Sequence, residues 1–271
     1  MTASAYWWKL LGWPAVVVLV VYLLAVLAAW TMVDRALYYP AIASGRRPAQ
    51  AKTIRAASGE IAVRHLPNPA ARFTIWFFHG NAEDLGDLEP FLLTLRDHGY
   101  AVLAWDYPGY GSSRGRPSES SIYTAARIVR AHLRDELHVS AERMLIYGRS
   151  VGTGPAVQMA MEEPPAGLVL QSPFVSVYRV MTHWPVLPFD QFTNLRKIGA
   201  VRAPVLVLHG RRDEVIPFWH GEAVHAAARE PKRALWVDAA QHNDFLETAG
   251  APYWTALREF SELCARGGSS P

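Results

Sequence analysis

Ser150 stands in Gly148-Arg149-Ser150-Val151-Gly152, a G-x-S-x-G pattern that follows the apolar run Met144 to Tyr147 and precedes the helix-permitting run from Thr153. Between a strand and a helix this pattern forms a tight turn. The flanking glycines leave room for the turn, and the serine is lifted to a helix N-terminus whose free N–H groups favour developing negative charge. A serine hydroxyl is a weak nucleophile at neutral pH. It needs a histidine to take its proton and a third group to orient that histidine. Asp213, in His209-Gly210-Arg211-Arg212-Asp213-Glu214-Val215-Ile216-Pro217, and His242, in Ala239-Ala240-Gln241-His242-Asn243-Asp244, follow in the chain order Ser, Asp, His. Glu214 is the nearest rival to Asp213. His220 and His225 compete with His242 but precede the last strand, where that order does not place the base.

Acyl transfer also needs donors for a tetrahedral oxyanion. The backbone N–H of Val151, directly after the serine, is one candidate. The other is the backbone N–H of Asn81, in His79-Gly80-Asn81-Ala82 after the apolar run Phe73 to Phe78. His79 reads as a brace for that loop. Asp106-Tyr107-Pro108-Gly109-Tyr110-Gly111 forms a turn beside the site, with Asp106 as a hydrogen-bond brace and Tyr107 and Tyr110 as candidate pocket residues.

These residues must be positioned by elements legible as apolar runs. Phe73–Phe78, Ala101–Trp105, Met144–Tyr147, Leu168–Leu170, Val205–Leu208 and Leu235–Val237 read as strands buried on both faces. Thr53–Ala56 and Ile61–His65, separated by Ser58-Gly59, read as an antiparallel hairpin at one edge. Helix-permitting stretches at Leu88–Asp97, Ser120–Glu136, Thr153–Met161, Glu222–Arg229 and Tyr253–Ala265 alternate with them. The pattern predicts an α/β fold, with a mostly parallel sheet of about eight strands and helices on both faces. Right-handed crossovers then put every strand-to-helix loop on one sheet edge.

Trp13 to Met32 carries no charge and is followed by Asp34 and Arg35. At about 1.5 Å per residue it is long enough to cross a ~30 Å hydrocarbon core, with Tyr6, Trp7, Trp8, Trp13 and Trp30 at its ends. The reading is a single-pass membrane anchor over residues 1–34 and a juxtamembrane linker over 35–51, with Tyr38-Tyr39-Pro40 packing on the domain. A catalytic domain over 52–266 follows. A cleaved signal peptide ending near Val26-Leu27-Ala28 competes with the anchor, and a buried core helix fits least. Lys9 against Arg35, Arg46, Arg47 and Lys52 slightly favours a cytoplasmic catalytic domain.

The net charge of +3, with arginines scattered among acids, gives no stripe for nucleic acid. The single cysteine, Cys264, excludes an internal disulfide, and no Cys/His set has zinc spacing. No metal or organic cofactor is required by this chemistry. Residues 172–198 should form a small lid, whose Phe174 and Trp184 are candidate walls for an acyl chain or simply pack on the domain.

Taken together, the motifs at His79–Ala82, Asp106–Gly111, Gly148–Gly154, His209–Pro217 and His242–Asp244 resemble those of small membrane-anchored α/β-hydrolases related to protein depalmitoylases and serine-aminopeptidase-like hydrolases. The resemblance spans roughly residues 35 to 265. It implies a Ser150–Asp213–His242 triad with an oxyanion hole at Asn81 and Val151. Arg149 stands where such relatives often carry Gln, and the apolar helix replaces the cysteine-rich, lipid-modified N-terminus of the depalmitoylases. The expected activity is hydrolysis of an acyl ester, thioester or lipid-like substrate. A serine aminopeptidase is the alternative, with Glu83, Asp84 or Asp87 holding the substrate ammonium; a binding protein on an inactive hydrolase fold is the third reading.

Overall fold

The computed structural model describes residues 3–56, 59–182 and 184–267. Its sheet contains β1 (Lys52–Ala56), β2 (Gly59–Leu66), β3 (Thr74–Phe78), β4 (Ala101–Trp105), β5 (Met144–Arg149), β6 (Gly167–Gln171), β7 (Val205–Gly210) and β8 (Lys232–Val237). They are ordered β1-β2-β4-β3-β5-β6-β7-β8. The six strands from β3 to β8 run parallel, and β2 pairs antiparallel with both β1 and β4. The expected mostly parallel eight-stranded sheet is therefore the observed one, with the hairpin at its edge. Ser58 of that hairpin lies outside the described residues. β8 starts three residues before the apolar run, because an edge strand can leave Arg233 and Ala234 exposed.

The alternation of side chains along the strands separates two cores. Trp76, Phe78, Leu103, Trp105 and Ile146 belong to one, Ile75, Phe77, Val102, Ala104 and Leu145 to the other. Helices cover both. α3 (Glu119–Asp135) buries Ile122, Ala125, Ala126, Val129 and Leu133, a single stripe at helical spacing, and starts in a capping box between Ser118 and Ser121. With α4 (Thr153–Glu162) and α7 (Trp219–Ala227) it packs on the first face. α2 (Leu85–Asp97) and α9 (Ala251–Gly267) pack on the second, α9 through Leu257, Phe260 and Cys264.

α1 (Ala3–Leu37) contains a 23-residue stretch, Trp13–Arg35, with mean hydropathy 2.7 and none of it buried, long and apolar enough to cross a membrane. That exposure removes the core-helix reading. The rings of Tyr6, Trp7 and Trp8 and the Lys9 side chain lie outside what is described. The helix continues past residue 34 to Leu37 and stops short of Pro40, which disfavours helical geometry in the residue before it. Tyr38 is then buried in the first core, and Ser44 Oγ and Gly45 N–H donate to the Asp84 carboxylate at 2.7 and 2.6 Å. The segment after α1 is thus docked on the domain.

Asp106, at the end of β4, braces that edge. Its carboxylate accepts the N–H groups of Leu85 at 2.9 Å and Ser112 at 3.1 Å. Burial pushes its pKa up to about 7 against the lowering effect of these bonds. A raised carboxyl pKa favours the fold fully below the ordinary carboxylate value and loses that contribution as pH rises through the folded value. Asp106→Asn should accordingly gain stability relative to wild type between about pH 5 and about pH 8. Urea unfolding of the detergent-solubilised full chain at the two pH values checks this.

Candidate active site

The carboxyl edge of the sheet gathers the loops after β3, β5, β7 and β8 around one cavity of about 780 Å³. Ser150 follows β5 in a single 3-10 turn, Ser150–Gly152, before α4 begins, and has φ 53°. A non-glycine residue held at positive φ is uncommon and is overdetermined by its surroundings. Here the flanking glycines supply the constraint. A Cβ on Gly148 would lie 2.6 Å from Gly152 O and 2.7 Å from Ala156 Cβ, and one on Gly152 would lie 2.3 Å from Phe78 O and 2.6 Å from His79 O.

His242 Nε2 lies 3.0 Å from Ser150 Oγ, and His242 Nδ1 lies 2.8 Å from Asp213 Oδ2. The Asp213 side chain is fully buried. Its Oδ1 accepts N–H donors from Val215 at 3.0 Å and Ile216 at 2.7 Å. Burial alone would raise the Asp213 pKa, but the contacts from His209 and His242 and the Ile216 N–H together hold it well below the usual carboxylate range. An ionised carboxylate at Nδ1 fixes the tautomer that leaves Nε2 free to accept the serine proton. Glu214 instead accepts the His242 backbone N–H at 3.2 Å. His220 is buried, with Nδ1 accepting the Val175 N–H at 3.1 Å, and His225 packs edge-on against Trp236.

Asn81 and Val151 line the cavity beside Ser150. Behind them, His79 is fully buried, with Nδ1 2.6 Å from Gly80 O, and burial pushes its pKa down to about 4. The ring is therefore neutral and serves as a brace. Tyr107 stacks on it at 3.8 Å and donates to His79 O at 2.8 Å. Tyr110 donates to Asn81 Oδ1 at 2.6 Å. Both tyrosines are buried behind the Asn81 loop and are not in the cavity wall, which corrects their expected place in the pocket. Phe174 does line the cavity. Trp184 does not: it is 74% exposed on the lid surface, because the chain from Trp184 to Pro188 turns away over α1 rather than inward.

Several neighbours escaped sequence reasoning. His209, next to last in β7, places Nε2 2.9 Å from Ile216 O and 3.4 Å from Asp213 Oδ2, tying the acid loop to its strand. Arg149 forms an ion pair with Glu83, whose carboxylate also accepts the Gly80 N–H at 2.8 Å. Ala29, Met32, Val33 and Leu37 of α1 also line the cavity, which nothing in the hydropathy of the span announces.

This geometry agrees with what the chain is similar to. A profile for the family described as serine aminopeptidase, S33, matches residues 69–195. The alpha/beta hydrolase domain-containing protein 17B of Homo sapiens is 38% identical over 198 residues, which are 71% of this chain and 67% of that protein. Its Xenopus laevis counterpart is 39% identical over 197 residues, with the same coverage. The chain belongs to the α/β-hydrolase superfamily. The alpha/beta hydrolase domain-containing protein aho-3 of Caenorhabditis elegans is 40% identical over 207 residues, 74% of this chain but 60% of that protein, so the hydrolase spans less than two thirds of that relative. Among solved structures, an esterase from Pyrococcus furiosus superposes with a TM-score of 0.65 at 18% identity, covering 78% of this chain and 91% of that one. A monoacylglycerol lipase from Paleococcus ferrophilus superposes with a TM-score of 0.61 at 18% identity, covering 75% and 99%. These likenesses establish the hydrolase fold.

The turn that carries Ser150 tolerates no Cβ at Gly152, since the atoms it would strike are backbone. Gly152→Ala should lower stability by about 1–3 kcal/mol and move Ser150 out of line with His242. A lower unfolding midpoint together with slowed fluorophosphonate labelling is the expected result.

Proposed function

We propose that this α/β-hydrolase is a membrane-anchored serine hydrolase that cleaves carboxylic ester or thioester bonds through an acyl-enzyme on Ser150. The observation that carries the reading is the unbroken contact from Ser150 Oγ through His242 to the buried Asp213 carboxylate, opening on a cavity lined mainly by apolar side chains. Ser150 Oγ attacks the acyl carbon while His242 Nε2 takes its proton. The tetrahedral oxyanion is received by the N–H groups of Asn81 and Val151. As it collapses, the bond from the acyl carbon to the leaving oxygen or sulfur breaks, and His242 returns the proton to that atom. A water then repeats the sequence with His242 as base, releasing the acid and regenerating Ser150. Asp213 keeps the imidazole in register and offsets its charge.

An aminopeptidase needs a free carboxylate near the mouth for the substrate ammonium. Glu83 is ion-paired with Arg149, Asp84 caps α2 while accepting from Ser44 and Gly45, and Asp87 accepts from Ser44 and pairs with Arg46. All three acids are therefore committed elsewhere, which favours the acyl hydrolase.

Membrane anchoring rests on the 23-residue apolar exposed stretch of α1. The possible cleavage point at Val26-Leu27-Ala28 lies inside a helix whose later residues line the cavity, which favours a retained anchor over a cleaved leader. The basic residues after the span favour a cytoplasmic catalytic domain, and a reporter fused at residue 45 should report that side.

Purified wild type should be labelled by a fluorophosphonate probe, and Ser150→Ala and His242→Ala should not. Asp213→Asn should lower kcat for p-nitrophenyl esters by about 10⁴-fold, the scale of losing the orienting acid. An unlabelled, inactive wild type would instead point to a binding protein on this fold.

A further inference from the structure

One wall of the cavity is the membrane helix itself. Ala29, Met32, Val33 and Leu37 of α1 line the same space as Ser150, beside the lid helix α5 (Val177–Thr182), which contributes Val180 and Met181 and whose Tyr178 Oη donates to Ala29 O at 3.4 Å. Ala29, Val33 and Leu37 recur every four residues and form one stripe; with Val26 they are less exposed than the residues around them.

Polar contacts fasten this stripe to the domain along its length. Asn81, whose loop bounds the nucleophile, donates through Nδ2 to Leu37 O and accepts the Tyr39 N–H at Oδ1 at 3.2 Å. Gln191 Nε2 donates to Asp34 Oδ1 at 3.0 Å. Further up the helix, Tyr22 Oη donates to Val186 O at 3.1 Å.

The last bond sets the depth of the lid. Tyr22 stands near the middle of Trp13–Arg35, so the lid tip lies beside the hydrocarbon-spanning part of the helix and not beyond its end. Ala29 is about 9 Å along the axis from Arg35, which puts the cavity wall inside the leaflet as well. The exposed side chains agree with that placement. Met181, Trp184 and Val186 are 84%, 74% and 51% exposed, an apolar group that suits lipid far better than water.

The lining residues that also reach the surface are Met32 and Met181, on α1 and the lid helix, and Tyr39, Ala82, Val215 and Asn243, on the segment after α1 and on the loops that carry the site. We infer that the substrate is an acyl chain still resident in the bilayer, drawn sideways between Met32 and Met181, with α1 forming a wall of the acyl site. Its carbonyl then stops at Ser150, and the leaving group faces water at Tyr39 and Val215. This deepens, and rests on, the reading of Ser150 as the acylated nucleophile.

The test uses the full chain in phosphatidylcholine vesicles. Each variant is assayed with a palmitoyl-thioester peptide embedded in the vesicles and with soluble p-nitrophenyl butyrate, and the readout is the ratio of the two kcat/KM values. Ala29→Trp and Val180→Trp should lower that ratio by about tenfold or more, because each fills the chain's path. Val17→Trp, on the exposed stretch away from the cavity, should keep the wild-type ratio. A general loss of folding lowers both rates and leaves the ratio in place. A vesicle-borne palmitoyl chain carrying a diazirine should, in addition, crosslink to residues 29–33 and 177–182. An unchanged ratio in both tryptophan variants, or crosslinks confined to the Val215 loop, overturns the lateral route. Failure of wild type to take up fluorophosphonate overturns the nucleophile instead, and the crosslinks, which require no turnover, still decide the route.

Discussion

The site depends first on how closely the turn after β5 approaches the end of β3. Two strands paired in parallel bring Phe78 opposite Gly148, and the chain must then leave the sheet at once. A Cβ at Gly152 would strike Phe78 O and His79 O, so there is no room for any side chain. That contact accompanies the positive φ of Ser150, starts α4 packed beside β5 and β6, and leaves Val151 and Asn81 lining one cavity. The donor pair proposed on the loops after β3 and β5 is held in fixed relation by this packing.

The second requirement is electrostatic. A carboxylate without solvent is costly unless its lone pairs are filled. Asp213 meets that condition with the backbone N–H groups of Val215 and Ile216 on one oxygen and His242 across both. The donors come from a tight loop just after β7, and His209 anchors the far end of that loop through Ile216 O. The charge is thus created by folding the loop, and the imidazole is oriented by a group that stays ionised. The same logic runs in reverse at His79, where burial without a charged partner leaves the ring neutral and confines it to bracing.

Features that repeat along the chain were legible in the sequence. Apolar runs gave the strands because both faces of this sheet are covered, and Ser150, Asp213 and His242 stood out because chain order maps onto successive loops at one sheet edge. What depends on juxtaposition was hidden. Tyr107 and Tyr110 are aromatic residues in a glycine-rich turn, which suits a pocket wall and a loop brace equally. Only the stacking on His79 and the bond to Asn81 distinguish them. Trp184 looked like a wall because composition carries no direction, yet its backbone turns over α1. The stripe at Ala29, Val33 and Leu37 leaves no mark in hydropathy because the cavity-facing and exposed sides of α1 carry the same apolar side-chain types.

The ambiguity of that stripe has a physical consequence. Beside the short segment 172–198, α1 supplies a wall of the cavity through apolar contacts, which are non-directional, while Asn81 fixes their position by bonds to Leu37 O and Tyr39 N–H. Because Asn81 also lines the cavity with Ser150, the end of α1 and the His79–Ala82 loop are tied together. In the proposed anchored enzyme, anchor, cavity wall and the loop next to Ser150 are therefore joined by these contacts rather than by a flexible tether, so a change in the depth of α1 would reach that loop.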